Sequence, residues 1–201
     1  QEPFDPARFV GNASTGATGI ALAREAVARG ADVTLILGPS ALEPPAGARV
    51  VRVRTAREMH DAAMRDAVGA DIVIAAAAVA DWRPAEYSAE KIKKTDEDLV
   101  VRMTRNPDVL ARIGDRKGST FLVGFAAETA DHEVSARGKM ARKHLDAIAV
   151  NDVRDGRGFG TGTNALSLLY GADGRIDLGE ADKATLAARL LDAIERLMEE
   201  A

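Results

Sequence analysis

The 201-residue chain has no cysteine, which excludes a disulfide framework, a thiolate metal site and a cysteine nucleophile supplied by this chain. Long apolar runs are also missing. The longest, Ile72 to Ala80, falls far short of the roughly 20 residues that a bilayer-spanning helix needs. No basic segment leads into an apolar stretch at the N-terminus, so no secretory signal is read there and the cytoplasm is the expected setting. Neither sign of charge dominates. With 27 Lys and Arg against 31 Asp and Glu, the formal net charge is -4, and nothing in that balance points to nucleic acid or a membrane surface as partner. An anionic ligand would have to be held locally. The three histidines, His60, His132 and His144, are scattered over helical patterns without ligand spacing, and no catalytic or metal role is assigned to them.

What the chain does have is an ordinary globular make-up, 46% hydrophobic and 29% charged, enough for one domain with its own core. Short apolar runs rich in β-formers, at 33–37, 50–53, 72–76, 120–123 and 147–150, alternate with helical patterns at about 17–29, 56–68, 107–115, 131–144 and 181–200. That alternation predicts an α/β fold: a Rossmann-like, mainly parallel sheet with helices on both faces. Residues 164–170 and 175–178 flank Gly171-Ala172-Asp173-Gly174 and read as a β-hairpin appended near the C-terminus. No repeat or low-complexity linker divides the chain.

Ligands of such sheets bind beyond the carboxyl ends of the strands. The segments found there are Ala77-Ala78-Val79-Ala80-Asp81-Trp82-Arg83-Pro84, Gly124-Phe125-Ala126-Ala127-Glu128-Thr129 and Asn151-Asp152. Near the N-terminus, Ser14-Thr15-Gly16-Ala17-Thr18-Gly19 leads directly into a helical pattern, an arrangement that offers backbone N–H groups to an anion. The same letters would suit a dinucleotide-dependent dehydrogenase or epimerase. That reading requires a buried strand just before the loop and an acidic residue at the end of the next strand, to bind ribose hydroxyls. Residues 1–12 contain two prolines and no strand run, and the second strand ends in Leu37-Gly38-Pro39-Ser40. Both requirements fail.

Six linked stretches, DPARFVGNASTGATG, AAVADWRP, KIKK, NPDVL, VGFAAET and ARKHLDAIAVND, occur in this order. Together they resemble the phosphopantothenoylcysteine synthetase (phosphopantothenate-cysteine ligase) family of coenzyme A biosynthesis, over nearly the whole of residues 1–201. The resemblance implies a two-step amide synthesis. The carboxylate of 4'-phosphopantothenate attacks the α-phosphorus of CTP to give an acyl-cytidylate and pyrophosphate, and the amine of L-cysteine then displaces CMP. The substrates supply the nucleophiles, so such chemistry calls for cations and amide donors. Mg²⁺ is expected to ride on the triphosphate with at most one carboxylate from the protein. The family also implies a homodimer and, in bacteria, a flavin-dependent decarboxylase upstream on the same polypeptide. A protein that keeps the fold but is inactive and regulatory is the remaining alternative; intact Asn12, Lys94, Lys139 and Lys143 argue against it.

The matching positions give the expected site. Asn12 would hold the acyl-cytidylate, and Arg8 lies on the pantothenate side, unless it is only a surface ion pair. Ser14, Thr15, Gly16 and Gly19 would face phosphate at the helix start. Ala80 and Asp81 would meet the nucleotide; for Asp81, a contact to the base amino group, an ion contact and a turn cap all stay open. Lys91 and Lys94 would belong to a mobile flap over about 86–96, with Lys94 reaching the triphosphate. The backbone of Pro107, Asp108, Val109 and Leu110 would run along the nucleotide, although Asn106 capping a helix that starts at Pro107 explains the same letters. Phe125 would contact cytosine. Lys139 and Lys143, four residues apart on one helix face, would meet the triphosphate. Two departures stand out: Ala17 replaces the Lys or Arg common in the family's loop, and the strand and Gly-rich loop normally found before the position of Gln1 are absent, so the sequence is read as a piece of a longer chain.

Overall fold

The computed structural model describes residues 1–67, 69–128, 132–152 and 163–200. The first half contains β1 (Glu2–Pro3), β2 (Phe9–Val10), α1 (Ala17–Ala28), β3 (Thr34–Leu37), β4 (Arg49–Arg52), α2 (Ala56–Asp66) and β5 (Ile72–Ala75). The second contains β6 (Trp82–Pro84), β7 (Met103–Arg105), α3 (Val109–Gly114), β8 (Phe121–Glu128), α4 (His132–Lys143), β9 (Ala147–Asp152), β10 (Thr163–Tyr170), β11 (Gly174–Asp182) and α5 (Lys183–Glu199). No helix among the described residues is long and apolar enough to cross a membrane.

The sheet runs β11-β10-β9-β8-β5. Its centre is parallel, with β5 beside β8 and β8 beside β9, while β10 and β11 add an antiparallel hairpin. A separate parallel ladder joins β3 to β4. Ala147, Ile148 and Ala149 of β9 are wholly buried, as an almost uninterrupted apolar strand between two helical layers should be. On one face, Leu22 of α1 and Leu186, Leu190, Leu191 and Ile194 of α5 pack over Val123, Ala149 and Leu168. On the other, Ala63 of α2, Ile113 of α3 and Ala136 and Met140 of α4 cover Leu122, Ile148 and Val150. The doubly covered sheet therefore matches the sequence reading.

Helix starts follow local chemistry. Thr55, the N-cap of α2, accepts from Glu58 N through Oγ1 at 3.2 Å, and Glu58 Oε2 accepts from Arg54 N at 2.6 Å, one residue before the cap. Asp182 caps α5 by accepting from Ala184 N and Thr185 N, both at 2.9 Å. The helix after Asn106 corrects one expectation: it starts at Val109, with Asp108 as its N-cap accepting from Ala111 N at 3.1 Å, so Pro107 lies outside it. Asn106 is thereby free for other contacts.

Two small hairpins escaped the periodicity argument. β1 and β2 pair antiparallel around Phe4 to Arg8, and β6 and β7 pair antiparallel around the polar segment 85–102. Strands of two or three residues are too short to show alternation. The second hairpin carries the expected flap, whose residues have neither helix nor strand between Ala85 and Arg102.

Candidate active site

Four groups of residues converge around the carboxyl ends of β5, β8 and β9; β8 and β9 run further than the sequence suggested, so that Phe125 and Asn151 lie within them. The first is the start of α1. Gly16, its N-cap, has φ 78°, a left-handed conformation that glycine adopts without steric cost. Ser40 Oγ donates to Thr15 O at 2.8 Å and accepts from Leu42 N at 3.1 Å, tying the loop after β3 to this turn. The hydroxyls of Ser14 and Thr15 accept from Gly16 N and Ala17 N only at 3.4 Å. With such weak local partners, the first-turn N–H groups of α1, including that of Gly19, keep most of their capacity to bind an anion.

Two asparagines hold the loop after β5. Asn12 Nδ2 donates to Val79 O at 3.2 Å and Ala78 O at 3.4 Å, so it bridges two segments and does not cap α1. Asn106 Nδ2 donates to Ala80 O at 2.8 Å, and Asn106 N donates to Asp81 O at 2.8 Å. Arg83 completes the clamp by donating to Arg105 O and to Asn106 Oδ1. Ala80 and Asp81 are thus fixed through their carbonyls, while the Asp81 residue remains exposed.

The lysines of α4 form the third group. Lys139 Nζ donates to Phe125 O at 2.8 Å, and Lys143 Nζ lies 2.7 Å from Asp108 Oδ2. Burial pushes the Asp108 carboxyl up, but Lys143 and the Ala111 N–H outweigh it, leaving a net shift below the usual carboxylate value. Gly114 makes this approach possible: a Cβ there would stand 1.9 Å from Lys143 O. Lys139 and Lys143 consequently share one corner with Phe125, Asp108 and the start of α3, where Val109 and Leu110 pack.

Fourth, a cavity opens between α1, α5 and the ends of the strands, lined by Thr18, Leu22, Phe125, Asn151, Asn164 and Lys183, with α5 leucines behind. Among the described residues, Asn151 Oδ1 is buried with no hydrogen-bond partner. Lys183 Nζ reaches Asn164 Oδ1 at 3.4 Å. Asn151 had a sequence signal, since it directly follows the apolar run 147–150, although the structure extends β9 through it. Asn164 and Lys183 had none, because only the β10–β11 hairpin brings them to the cavity.

Arg8 is joined to the flap. Arg8 Nε donates to Asp5 Oδ2 at 2.9 Å, a second guanidinium nitrogen donates to the same oxygen and to Ile92 O, and the guanidinium carbon lies 5.2 Å from the Phe4 ring centroid. The ion pair weighed for Arg8 is therefore present, but with a fully buried partner, Asp5. Lys91 and Lys94 are exposed on the loop rooted at the Asp81–Asn106 clamp.

A family model described as the DNA/pantothenate metabolism flavoprotein C-terminal domain matches residues 1–198. The chain is similar to a coenzyme A biosynthesis bifunctional protein CoaBC from Vibrio parahaemolyticus, 41% identical over 204 residues, covering 98% of this chain and 50% of the relative. It is also 43% identical over 206 residues to the protein of that name from Mycobacterium tuberculosis, covering 96% of this chain and 49% of the relative. It spans about half the length of these curated relatives. Among solved structures, the crystallised C-terminal domain of a CoaBC protein superposes with a TM-score of 0.84 at 34% identity, covering 100% of this chain and 91% of that one.

Proposed function

Because the chain belongs to the DNA/pantothenate metabolism flavoprotein C-terminal domain family, we propose that it is a phosphopantothenate-cysteine ligase domain, acting through an acyl-cytidylate. The observation that carries this reading is the convergence of Asn12, the clamped Ala80–Asp81 loop, Asp108, Phe125, Lys139 and Lys143 at one edge of the sheet. That edge offers two ammonium groups, a set of amides and a weakly capped helix start. Such a set stabilises phosphate charge and leaves bond making to the substrates.

In the first step, a carboxylate oxygen of 4'-phosphopantothenate bonds to the α-phosphorus and the bond to pyrophosphate breaks. Lys139, Lys143 and the flap residue Lys94 meet the phosphates, while Ser14, Gly16 and Gly19 present the helix start. In the second step, the cysteine nitrogen bonds to the acyl carbon, the bond to CMP breaks and the amine loses a proton. Asn12 holds the acyl-cytidylate by donating to an oxygen without adding charge; its present donation to backbone carbonyls already aims its amide at the Ala78–Ala80 loop. The cavity behind Phe125, with the unpartnered Asn151 Oδ1, suits the donor-bearing base of the nucleotide. Arg8 serves the pantothenate side, and Lys91 and Pro107–Leu110 border the nucleotide.

Among the described residues no three His, Asp or Glu side chains cluster as a metal cage. Mg²⁺ would arrive with CTP, where phosphate oxygens and at most one carboxylate, with Asp81 the exposed candidate, would hold it, and it would neutralise triphosphate charge. The working unit is a homodimer in the cytoplasm, and the whole protein carries a flavin-dependent decarboxylase upstream, in keeping with the length and bifunctional naming of the relatives.

The test is to incubate the protein with 4'-phosphopantothenate, L-cysteine, Mg²⁺ and either CTP or ATP, measuring pyrophosphate and amide product. CTP-dependent release of both is expected. Product with ATP alone reverses the nucleotide assignment, and NAD(P) binding without pyrophosphate release overturns the ligase reading.

A further inference from the structure

Asp5 is the most thoroughly engaged carboxylate described, and the ligase reading gives it no task. Its relative exposure is 0%. Oδ1 accepts from Ala7 N and Arg8 N, both at 2.8 Å, and Oδ2 accepts the Arg8 guanidinium. Within its own turn that is already a satisfied carboxylate. Yet Oδ2 also accepts from Ile92 N at 3.2 Å, and Arg8 returns the contact by donating to Ile92 O at 2.9 Å. Both backbone groups of Ile92 are therefore taken by one ion pair, whose members lie 87 and 84 residues away in the chain. A further tie, Ser88 N to Phe4 O at 2.9 Å, holds the same loop to the same turn.

Ile92 is flanked by Lys91 and by Lys93-Lys94, all three exposed. A loop of this composition has little apolar surface to hold it, and ordering each residue costs on the order of 1–2 kcal/mol. The polar clamp at Ile92 is what fixes the origin of the lysine side chains. Its strength comes from charge: Asp5 and Arg8 are both ionised, and hydrogen bonds with an ionised partner are about twice as strong as neutral ones.

We propose that Asp5 is a positioning residue for nucleotide binding, acting with Arg8 through a two-point clamp on Ile92 that holds Lys94 where its ammonium group meets the triphosphate and Lys91 at the border of the nucleotide. The inference rests on the nucleotide role of those lysines given above. Asp5 touches no substrate; it raises the fraction of molecules whose flap is already placed, and apparent affinity falls in proportion when that fraction falls.

The test measures nucleotide KM and kcat for Asp5→Asn in the parent and in a Lys91→Gln/Lys94→Gln background. In the parent, Asp5→Asn should raise nucleotide KM roughly tenfold with kcat changed much less; in the Lys91→Gln/Lys94→Gln background it should add nothing. An equal rise in both backgrounds would mean general loosening and overturns the inference. Since Asp5→Asn disturbs a buried group, Ile92→Pro provides a second route: it deletes the N–H that Asp5 accepts while leaving the Asp5–Arg8 pair whole, and Ile92→Ala is its control. Ile92→Pro should reproduce the KM rise and Ile92→Ala should not; equal effects of the two, or none, count against the clamp. If the lysine substitutions alone leave KM and activity unchanged, the nucleotide reading of the flap fails and the inference with it. A lysine effect without an Asp5 or Ile92→Pro effect overturns the inference alone.

Discussion

A side-chain amide can join two backbone segments without adding charge, as Asn12 and Asn106 do here. Asn106 is the structural case, since its amide and its backbone N–H both end on the Ala80–Asp81 loop. Asn12 is more exposed and its two contacts are longer, so a ligand can compete for its amide. Asn12→Ala should accordingly permit activation but impair transfer to cysteine, with acyl-cytidylate accumulating by mass spectrometry; losing one preorganised donor costs roughly 2.7–4 kcal/mol of transition-state stabilisation. Normal product formation by the variant would remove Asn12 from the site. The two lysines of α4 are not equivalent. Lys139 donates to a backbone carbonyl, that of Phe125, and Lys143→Ala leaves Asp108 without its ion-pair partner at the phosphate corner. Alanine at either lysine should weaken CTP more than phosphopantothenate, by about ten- to a hundredfold for a charge-assisted contact of 1.5–3 kcal/mol. The deficit should be larger for Lys143→Ala, as isothermal titration at two ionic strengths would resolve.

At the scale of elements, α3 and α4 meet at a point where one atom decides the fit. Gly114 abuts the carbonyl of Lys143, and the next residue, His144, has φ 53°. The chain reverses there with Leu145 N donating to Met140 O at 3.0 Å, a left-handed helix end usually given to glycine. Opposite stability effects follow. Gly114→Ala must push α3 and α4 apart, costing about 1–3 kcal/mol as overpacking does, and should loosen the Asp108–Lys143 pair and with it CTP affinity. His144→Gly relieves the left-handed strain and should stabilise by up to about 1 kcal/mol, raising Tm by roughly 2–4 °C in a chain of this size. Calorimetry on the two variants separates the effects. The flap is the other decisive element. Its backbone is tied at Ser88 and Ile92, so the freest stretch begins beyond Ile92, later than the 86–96 read from composition. Trypsin should cut around Lys93 and Lys94, and CTP should suppress that cut in the parent protein far more than in Lys94→Gln, which should fold normally but turn over slowly. Equal protection in both, with full activity retained, would return Lys94 to the exposed surface.

For the molecule as a whole, acid is the revealing perturbant. The Arg8 guanidinium holds Asp5 far below the usual carboxylate range, Arg49 and Arg65 lower Asp66, Arg137 lowers Glu133, and the Thr185 N–H and hydroxyl lower Asp182. Each folded value lies below the unfolded one, 3.8 for Asp and 4.5 for Glu. The stabilisation is therefore complete above those values and is lost as pH falls through the folded ones. Tm should stay level from neutrality to about pH 5 and then decline steadily. A Tm that rises on acidification below that point would contradict these pairings.

Local physics made much of this architecture legible. Near-continuous apolar runs at Ile72–Ala75 and Ala147–Val150, separated by helical periodicity, specify buried parallel strands and two helical layers, because each element must cover its apolar surface. The Gly-containing helix start and the lysine pair at positions 139 and 143 are likewise short-range patterns, visible because their members lie within one or two helical turns. The tertiary structure alone decided which polar groups meet. Asn106 reaches Ala80 across 26 residues and Asp5 reaches Ile92 across 87, while Asn164 and Lys183 approach Asn151 only through the returning hairpin. Their letters have no period and no local partner, so their roles are fixed by the packing of the sheet, which brings distant loops to its carboxyl edge.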